Sequence, residues 1–504
     1  MRESKVINYI RRGFYLDSVA LMRLSQQISA LPGVGAAAMM IGTDSNKGVL
    51  DEADLLADEG REVGANDLII ALKVADGESG KNALEEAENL LDSPSLRSGG
   101  VGDWFPRTMD TALAALPGAN LSLISVPGEF AAVESRKALQ NGLHVMLFSD
   151  NVSIVDELSL KLEAKERGLL FMGPDCGTAI LGGVPLAFAN EVPRGDVGII
   201  SAAGTGLQEV SSLIARNGGG VSHGIGVGGR DLSETIGGIM TLMAIDALDE
   251  DSATHRIILI SKPPSEKAAS LIFERIEKSS KKFTVCFLGL DAKDLPVNAH
   301  SVSTLTAAVE DVLGDKITRP RVVENTASVT AQSLEKGRTL IRGIYSGGTL
   351  CAEAQVIFLS EGETLFSNTP VPGARGLDEA DDKTHSILDL GADEYTVGRP
   401  HPMIDPTLRN DLMSRSLVEP GVAVILMDVV IGHGAHADPA AQIAETICGV
   451  SEGKASVVAS VCGTEEDSQV YSEQVRKLES VGVVVAPSNA LATEVALSIS
   501  RRKF

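Results

Sequence analysis

Apolar residues follow two periods along this chain. Short apolar runs at 68–74, 121–126, 143–148, 197–201, 257–261, 283–288, 341–345 and 424–431 alternate with longer stretches where apolar positions recur every three or four residues. The short runs, bounded by Gly, Pro and polar clusters, read as strands buried on both faces, and the longer stretches as amphipathic helices. Strand and helix alternating at this spacing predict parallel sheets covered by helices on both faces, an α/β fold.

Punctuation divides the pattern. Residues 1–107 read as a small N-terminal α/β domain: a strand from Val6, a helix over 17–30, strands at 35–41 and 68–74, and a helix after Gly80, closed by a linker-like polar stretch at 93–107. Residues 108–192 predict a Rossmann-like parallel sheet, and 193–315 a flavodoxin-like unit. A polar linker at 316–340 precedes a second flavodoxin-like unit at 341–504. The turn at 346–349 echoes that at 201–205, a weak internal repeat relating the last two units.

Composition narrows the function classes. The 504 residues suffice for three or four domains of about 100–200 residues each. With 44 Lys and Arg against 68 Asp and Glu, the net charge of −24 repels a polyanionic backbone, so nucleic acid is not an expected partner. Five scattered cysteines without Cys-x-x-Cys spacing predict neither a disulfide framework nor a zinc site, and a reducing cytoplasm fits. No run approaches the roughly 18 apolar residues of a membrane span, so no membrane association is expected. Arg11 and Arg12 are followed by no apolar export segment and read as part of the folded chain.

Candidate chemistry sits at strand-to-helix turns. Residues 198–209 and 424–438 each read as an apolar strand breaking at a glycine-rich turn and restarting as a helix. Unpaired N–H groups and the helix dipole at such a start favour an anion, which makes Ser201, Gly204, Thr205 and Gly206, and then Gly432 and Gly434, candidate phosphate ligands. Tight packing is the plainer use of the same glycines. His433, with His436 three residues on, is a candidate phosphorylation site or an ordinary hydrogen-bonding side chain, and no third ligand makes the pair a metal site. Lys262, fixed by Pro263 and Pro264, reads as a point charge beside phosphate or as a solvated loop lysine. Arg399, His401 and Arg409, among prolines and Asp405, fit a substrate carboxylate, a subunit contact or a rigid scaffold. The turn at 42–47 admits an anion or is an ordinary polar turn. Cys176 reads as a small buried hydrophobe more readily than as a reactive thiolate.

Residues 169–178, 195–205 and 219–230 resemble the α subunit of succinyl-CoA synthetase and its nucleoside-diphosphate-forming relatives, and 387–391 with 422–434 resemble the CoA-ligase domain of the β subunit. The wording at 46–47, 147–151 and 398–409 is similar to the FdrA family, over nearly the whole chain. The resemblance implies a Rossmann-like CoA-binding-type domain followed by two CoA-ligase-type domains, with coenzyme A as a possible cofactor; the spacing of the residues indicates no metal. In the ligases, one helix from each subunit points at a phosphohistidine. Here both helices would come from one chain, yet 289–293 contain no histidine and Lys262-Pro263-Pro264 stands where the partner glutamate is expected. No ATP-grasp domain has room before the β-like part. The FdrA resemblance implies one subunit of an oxamate carbamoyltransferase, an oligomer with two other proteins, interconverting oxalurate plus phosphate with oxamate plus carbamoyl phosphate. In that reading Lys262 neutralises the phosphate, and Arg399 or Arg409 meets the oxamate carboxylate. The alternatives are an acyl-CoA synthetase whose partner supplies the nucleotide chemistry, and a noncatalytic scaffold.

Overall fold

The computed structural model describes residues 5–14, 16, 18–92, 106–290, 292–318, 320–380, 383–396, 400–450 and 455–503. Most of the expected linker at 93–107 lies outside these residues. The chain folds into two compact units, one of residues 1–119, 125–130 and 393–405, the other of 120–124, 131–392 and 406–504.

The first unit is built on an antiparallel sheet in which Leu68–Val74 lies between Lys5–Arg11 and Val34–Ile41. One face packs Leu68, Ile70 and Leu72 against Leu21, Leu24 and Ile28 of helix Ser18–Ser29 and Ala83, Ala87 and Leu91 of helix Gly77–Leu91. The other face places Ile69 and Ala71 against Leu50, Leu55 and Val63. The turn at 42–47 is the polar one: Thr43 caps helix Asp44–Glu52 by accepting the Asn46 N–H, and its hydroxyl is thereby occupied.

The second unit holds three sheets. Leu121–Ile124, His144–Leu147 and Phe171–Met172 form the small parallel sheet expected of a Rossmann-like segment. A seven-stranded sheet follows in the order Ala299–Val302, Lys282–Phe287, Arg256–Ser261, Val197–Ser201, Val221–Gly226, Thr178–Leu181, Val184–Ala187. Its first five strands are parallel, and the hairpin of the last two adds an antiparallel edge through Ile180 beside Gly224. The fully buried Lys161, on helix Ile154–Arg167, ties the small sheet's layer to this one by donating to Asp231 at 2.8 Å and to the Val227 carbonyl at 3.0 Å. The second seven-stranded sheet is parallel throughout, in the order Arg375–Gly376, Leu365–Ser367, His385–Asp389, Leu340–Tyr345, Val422–Val430, Ser456–Cys462, Val484–Ala486. Every residue of Val422–Val430 is buried, as its continuous apolar run requires. The stretch at 316–340, expected as a linker, contains helix Arg321–Ser333, which buries Val323, Ala327 and Ala331 at four-residue spacing. No helix among the described residues is long and apolar enough to cross a membrane.

Candidate active site

In each seven-stranded sheet the first parallel strand of the doubly wound part lies between strands whose connections run in opposite directions. These strands are Val197–Ser201 and Leu340–Tyr345. Such switch points open a crevice outside the carboxyl ends of the strands. A helix begins at each: Gly204–Arg216 after the first and Gly348–Ser360 after the second. Both are buried along most of their length, and neither has a side-chain cap. They meet at their starts. The Thr349 N–H points at Thr205 Oγ1 at 3.4 Å, and a Cβ at Gly347 would stand 3.0 Å from Thr205 Cγ2.

The two entrances differ electrostatically. Around the first, the Ser201 hydroxyl accepts the Ala203 N–H and donates to the Ala203 carbonyl, so this candidate ligand shapes the turn rather than facing an anion. The N–H groups of Gly204, Thr205 and Gly206 find no acceptor among the described residues. At the second entrance the Ser346 and Gly347 N–H groups each donate at 2.7 Å to the carboxylate of the buried Asp428. Burial pushes the Asp428 carboxyl up to about 6, against the two N–H donors and the attraction of Arg409. Asp389 stands close by: a Cβ at Gly348 would lie 2.7 Å from its Oδ2. The N–H groups just before the second helix are thus supplied with a carboxylate, while those of Gly348 and Leu350, like those of Gly204, Thr205 and Gly206 at the first start, find no acceptor among the described residues.

One turn further in, Glu209 and Glu353 occupy equivalent positions, each five residues after a Gly-Thr start and each fully buried. Asn489 bridges them, its N–H donating to Glu209 at 3.1 Å and its Nδ2 to Glu353 at 2.7 Å. Burial, and then the neighbouring Glu209, push the Glu353 carboxyl up to about 7.

The remaining candidates lie as follows. Lys262 is exposed at the carboxyl end of Arg256–Ser261, and the Ala202 N–H donates to Ile260 of that strand, which brings the strand end alongside the first turn. The turn of Gly432 and Gly434 opens no helix. The next helix, Pro439–Cys448, starts only after a capping Asp438, while the Gly432 N–H donates to Gln469 and the His433 N–H to the Ala189 carbonyl. The Gly432 donor is spent, and the helix start that faces Gly204–Arg216 is the one at 346–349. His433 is about half exposed and holds Glu191 at 2.8 Å, a hydrogen-bonding role. Arg399 lies outside the described residues. His401, in the first unit, accepts the Met403 N–H, and burial lowers it to about 4, so it is a neutral ring and not a cation. Arg409 belongs to the second unit and is buried on helix Thr407–Val418, with Nε and Nη2 lacking hydrogen-bond partners. Cys176 is buried, and burial pushes its thiol up to about 12, the inert state. Ser346, Gly347, Asp389, Asp428, Glu209 and Glu353 were not singled out from the sequence as site residues. The repeated Gly-Thr-x-x-x-Glu at 204–209 and 348–353 was a signal for Glu209 and Glu353 alone; Asp389 and Asp428 carry none.

Two doubly wound sheets with opposed helix starts define a succinyl-CoA-synthetase-like, acyl-CoA-ligase-like fold. Comparison with known proteins agrees: residues 344–499 match the CoA-ligase family model, and 194–289 the CoA binding domain, within the unit expected to be flavodoxin-like. Residues 4–103 match the model described as AllF, heavy metal-associated domain. The uncharacterized protein YahF of Escherichia coli (strain K12) is 41% identical over 497 residues, which cover 95% of this chain and 96% of that protein. The chain belongs to the YahF family. The α subunit of the ADP-forming succinate–CoA ligase of Staphylococcus epidermidis is 26% identical over 170 residues, 32% of this chain and about half (54%) of the subunit. Among solved structures, ATP citrate lyase from Methanothrix soehngenii, in complex with citrate and coenzyme A, is similar at 16% identity and a TM-score of 0.36, over 42% of this chain and 43% of that one. The dinucleotide-forming acetyl-coenzyme A synthetase 1 of Ca. Korarchaeum cryptofilum gives 16% and 0.29, over 76% and 83%.

The heavy-metal description does not carry over. Residues 1–143 contain neither Cys nor His, so they offer no thiolate or imidazole to a heavy metal, only methionine thioethers and carboxylates. Among the described residues no group of three or more His, Cys, Asp or Glu is arranged to hold a metal.

Proposed function

We propose that the chain moves an activated acyl group between phosphate and coenzyme A, as an acyl-CoA-ligase-like enzyme whose nucleotide chemistry comes from a partner subunit. The observation that supports this reading is the uncapped start of Gly204–Arg216, opposed at the switch-point crevice by the start of Gly348–Ser360. Its free N–H groups are oriented donors for phosphate oxygens, and a helix start is worth roughly 0.3–2 kcal/mol toward an anion. Lys262 adds a point charge, and Asp428 orders the opposing turn. No phosphohistidine is needed when an acyl phosphate is itself the substrate, because the carbon–oxygen bond breaks and these donors receive the departing phosphate. Coenzyme A, when bound, supplies the thiol that takes the acyl group. For coenzyme A the support is the match of residues 194–289 to the CoA binding domain, whose sheet opens its strand ends at the same switch point.

A second reading, carbamoyl transfer to oxamate by an FdrA-type subunit working with two other proteins, takes its support from Lys262 and from the absence of histidine at 289–293. Both features suit direct handling of carbamoyl phosphate. One experiment separates the readings: the chain, alone and with co-expressed partners, is given acetyl or succinyl phosphate with coenzyme A, or carbamoyl phosphate with oxamate, and products are read by mass spectrometry. Thioester formation is expected. Gly204→Pro removes one N–H donor at a position where proline starts helices well, and it is expected to slow the reaction by about 10- to 100-fold. Oxalurate formation without thioester would replace the ligase reading with the carbamoyl one. Neither product from the full complex would leave a scaffold.

A further inference from the structure

A cavity of about 500 Å³ lies away from the switch-point crevice, at the amino-terminal edges of Leu121–Ile124 and His144–Leu147 and against the 178–187 hairpin. That volume is typical of small-molecule pockets. Met172, Leu186 and Ile225 are among its apolar lining, and its polar groups are His144, His223 and Asn120.

Both histidines are locked in one tautomer. The Leu170 N–H donates to His144 Nδ1 at 2.9 Å, and the Gly182 N–H donates to His223 Nδ1 at 3.1 Å. A backbone N–H can only donate, so each Nδ1 is the acceptor and the neutral ring carries its proton on Nε2. Burial lowers both rings. Asp251 opposes the shift at His223, and Arg194 reinforces it. Each ring is therefore a neutral Nε2–H donor. That of His223 stands 3.8 Å from Asp251, beyond a hydrogen bond. The cavity's lining includes no Lys or Arg, and the two charges that act on His223 from outside it, Asp251 and Arg194, are of opposite sign. A carboxylate there would find no ion-pair partner in the lining, whereas an uncharged acceptor would be satisfied by the imidazoles.

We propose that this cavity binds a small, uncharged, largely apolar molecule bearing a hydrogen-bond acceptor, a ketone or a carboxamide, held by the imidazole Nε2–H groups. The site is independent of the acyl-transfer reading, since it lies away from the switch-point crevice.

The test uses the full chain and three probes of matched shape: cyclohexanone, cyclohexanecarboxamide and cyclohexanecarboxylate, followed by saturation-transfer NMR at pH 8. The ketone and the carboxamide are expected to bind and compete, with the carboxylate at least about tenfold weaker. Leu186→Trp fills the cavity and is expected to abolish binding while the melting temperature is kept. Ring-nitrogen spectra of the unmodified protein, which has eight histidines, are expected to show the Nε2–H signals of His144 and His223 moving on titration. That readout decides the matter if Leu186→Trp fails to fold. Failure of both neutral probes to bind, a carboxylate as tight as the carboxamide, full binding by a folded Leu186→Trp, or unmoved His144 and His223 signals would overturn the proposal.

Discussion

Glu353 shows how far a single residue departs from its solution chemistry in this fold. It is fully buried, accepts the Leu305 N–H at 2.6 Å and the Asn489 amide, and its carboxyl is raised to about 7 by burial and by Glu209. A carboxyl raised on folding binds its proton more tightly in the native state, so its stabilising contribution is complete below its ordinary value of 4.5 and is lost as pH rises toward about 7. Unfolding free energy, measured by denaturant titration from pH 4.5 to 7.5, is therefore expected to fall across that window by an amount on the order of 2–3 kcal/mol from this group. Glu353→Gln is expected to flatten the fall; an unchanged slope would remove Glu353 as its source. The sequence marks this residue only by its place in Gly-Thr-x-x-x-Glu. Its protonation is set first by burial and then by the opposed effects of Asn489 and Glu209, 136 and 144 residues away, which no local pattern reveals.

At the scale of elements, the contact of two helix starts depends on the absence of side chains. A Cβ at Gly347 would meet Asp428 Oδ2 at 2.9 Å and Thr205 Cγ2 and Cβ at 3.0 and 3.1 Å. Gly347→Ala is expected to separate the helices and to cost about 1–3 kcal/mol, and the proposed acyl transfer is expected to fall more steeply than the shift in melting temperature would suggest. A variant with wild-type stability and activity would show that the close approach is not required. Local chemistry was legible at this scale: the apolar runs named the strands, and glycine-rich turns marked where helices restart. The error at Gly432 and Gly434 has a physical origin. Their positive φ angles of 111° and 82° serve close approach to Ala189, Asn190 and Phe188, not a helix start. A glycine-rich turn after a strand looks the same in sequence whether its N–H groups are free or taken by a distant carbonyl.

For the molecule as a whole, the described sheets account for the α/β reading, and the 41% identity with YahF along nearly the entire chain sets its family. The match of 4–103 to a heavy metal-associated model predicts a metal-binding module, and the residues argue the reverse. Titration of the full chain with Zn²⁺ or Cu⁺, followed by calorimetry and mass spectrometry, is expected to show no tight site that maps to residues 1–143. A stoichiometric site there would contradict this. The sequence by itself determined the strand and helix order, the parallel sheets of the second unit, and Gly204–Gly206 as a helix start, because each follows from periodicity or the conformational limits of one turn. Only the tertiary structure decided that the opposing start is Gly348 and not Gly434, that Asp428 accepts the Ser346 and Gly347 N–H groups before it, and that His144 and His223 share a cavity. Those outcomes depend on which distant backbone groups are left unpaired once the strands have taken their order in the sheet.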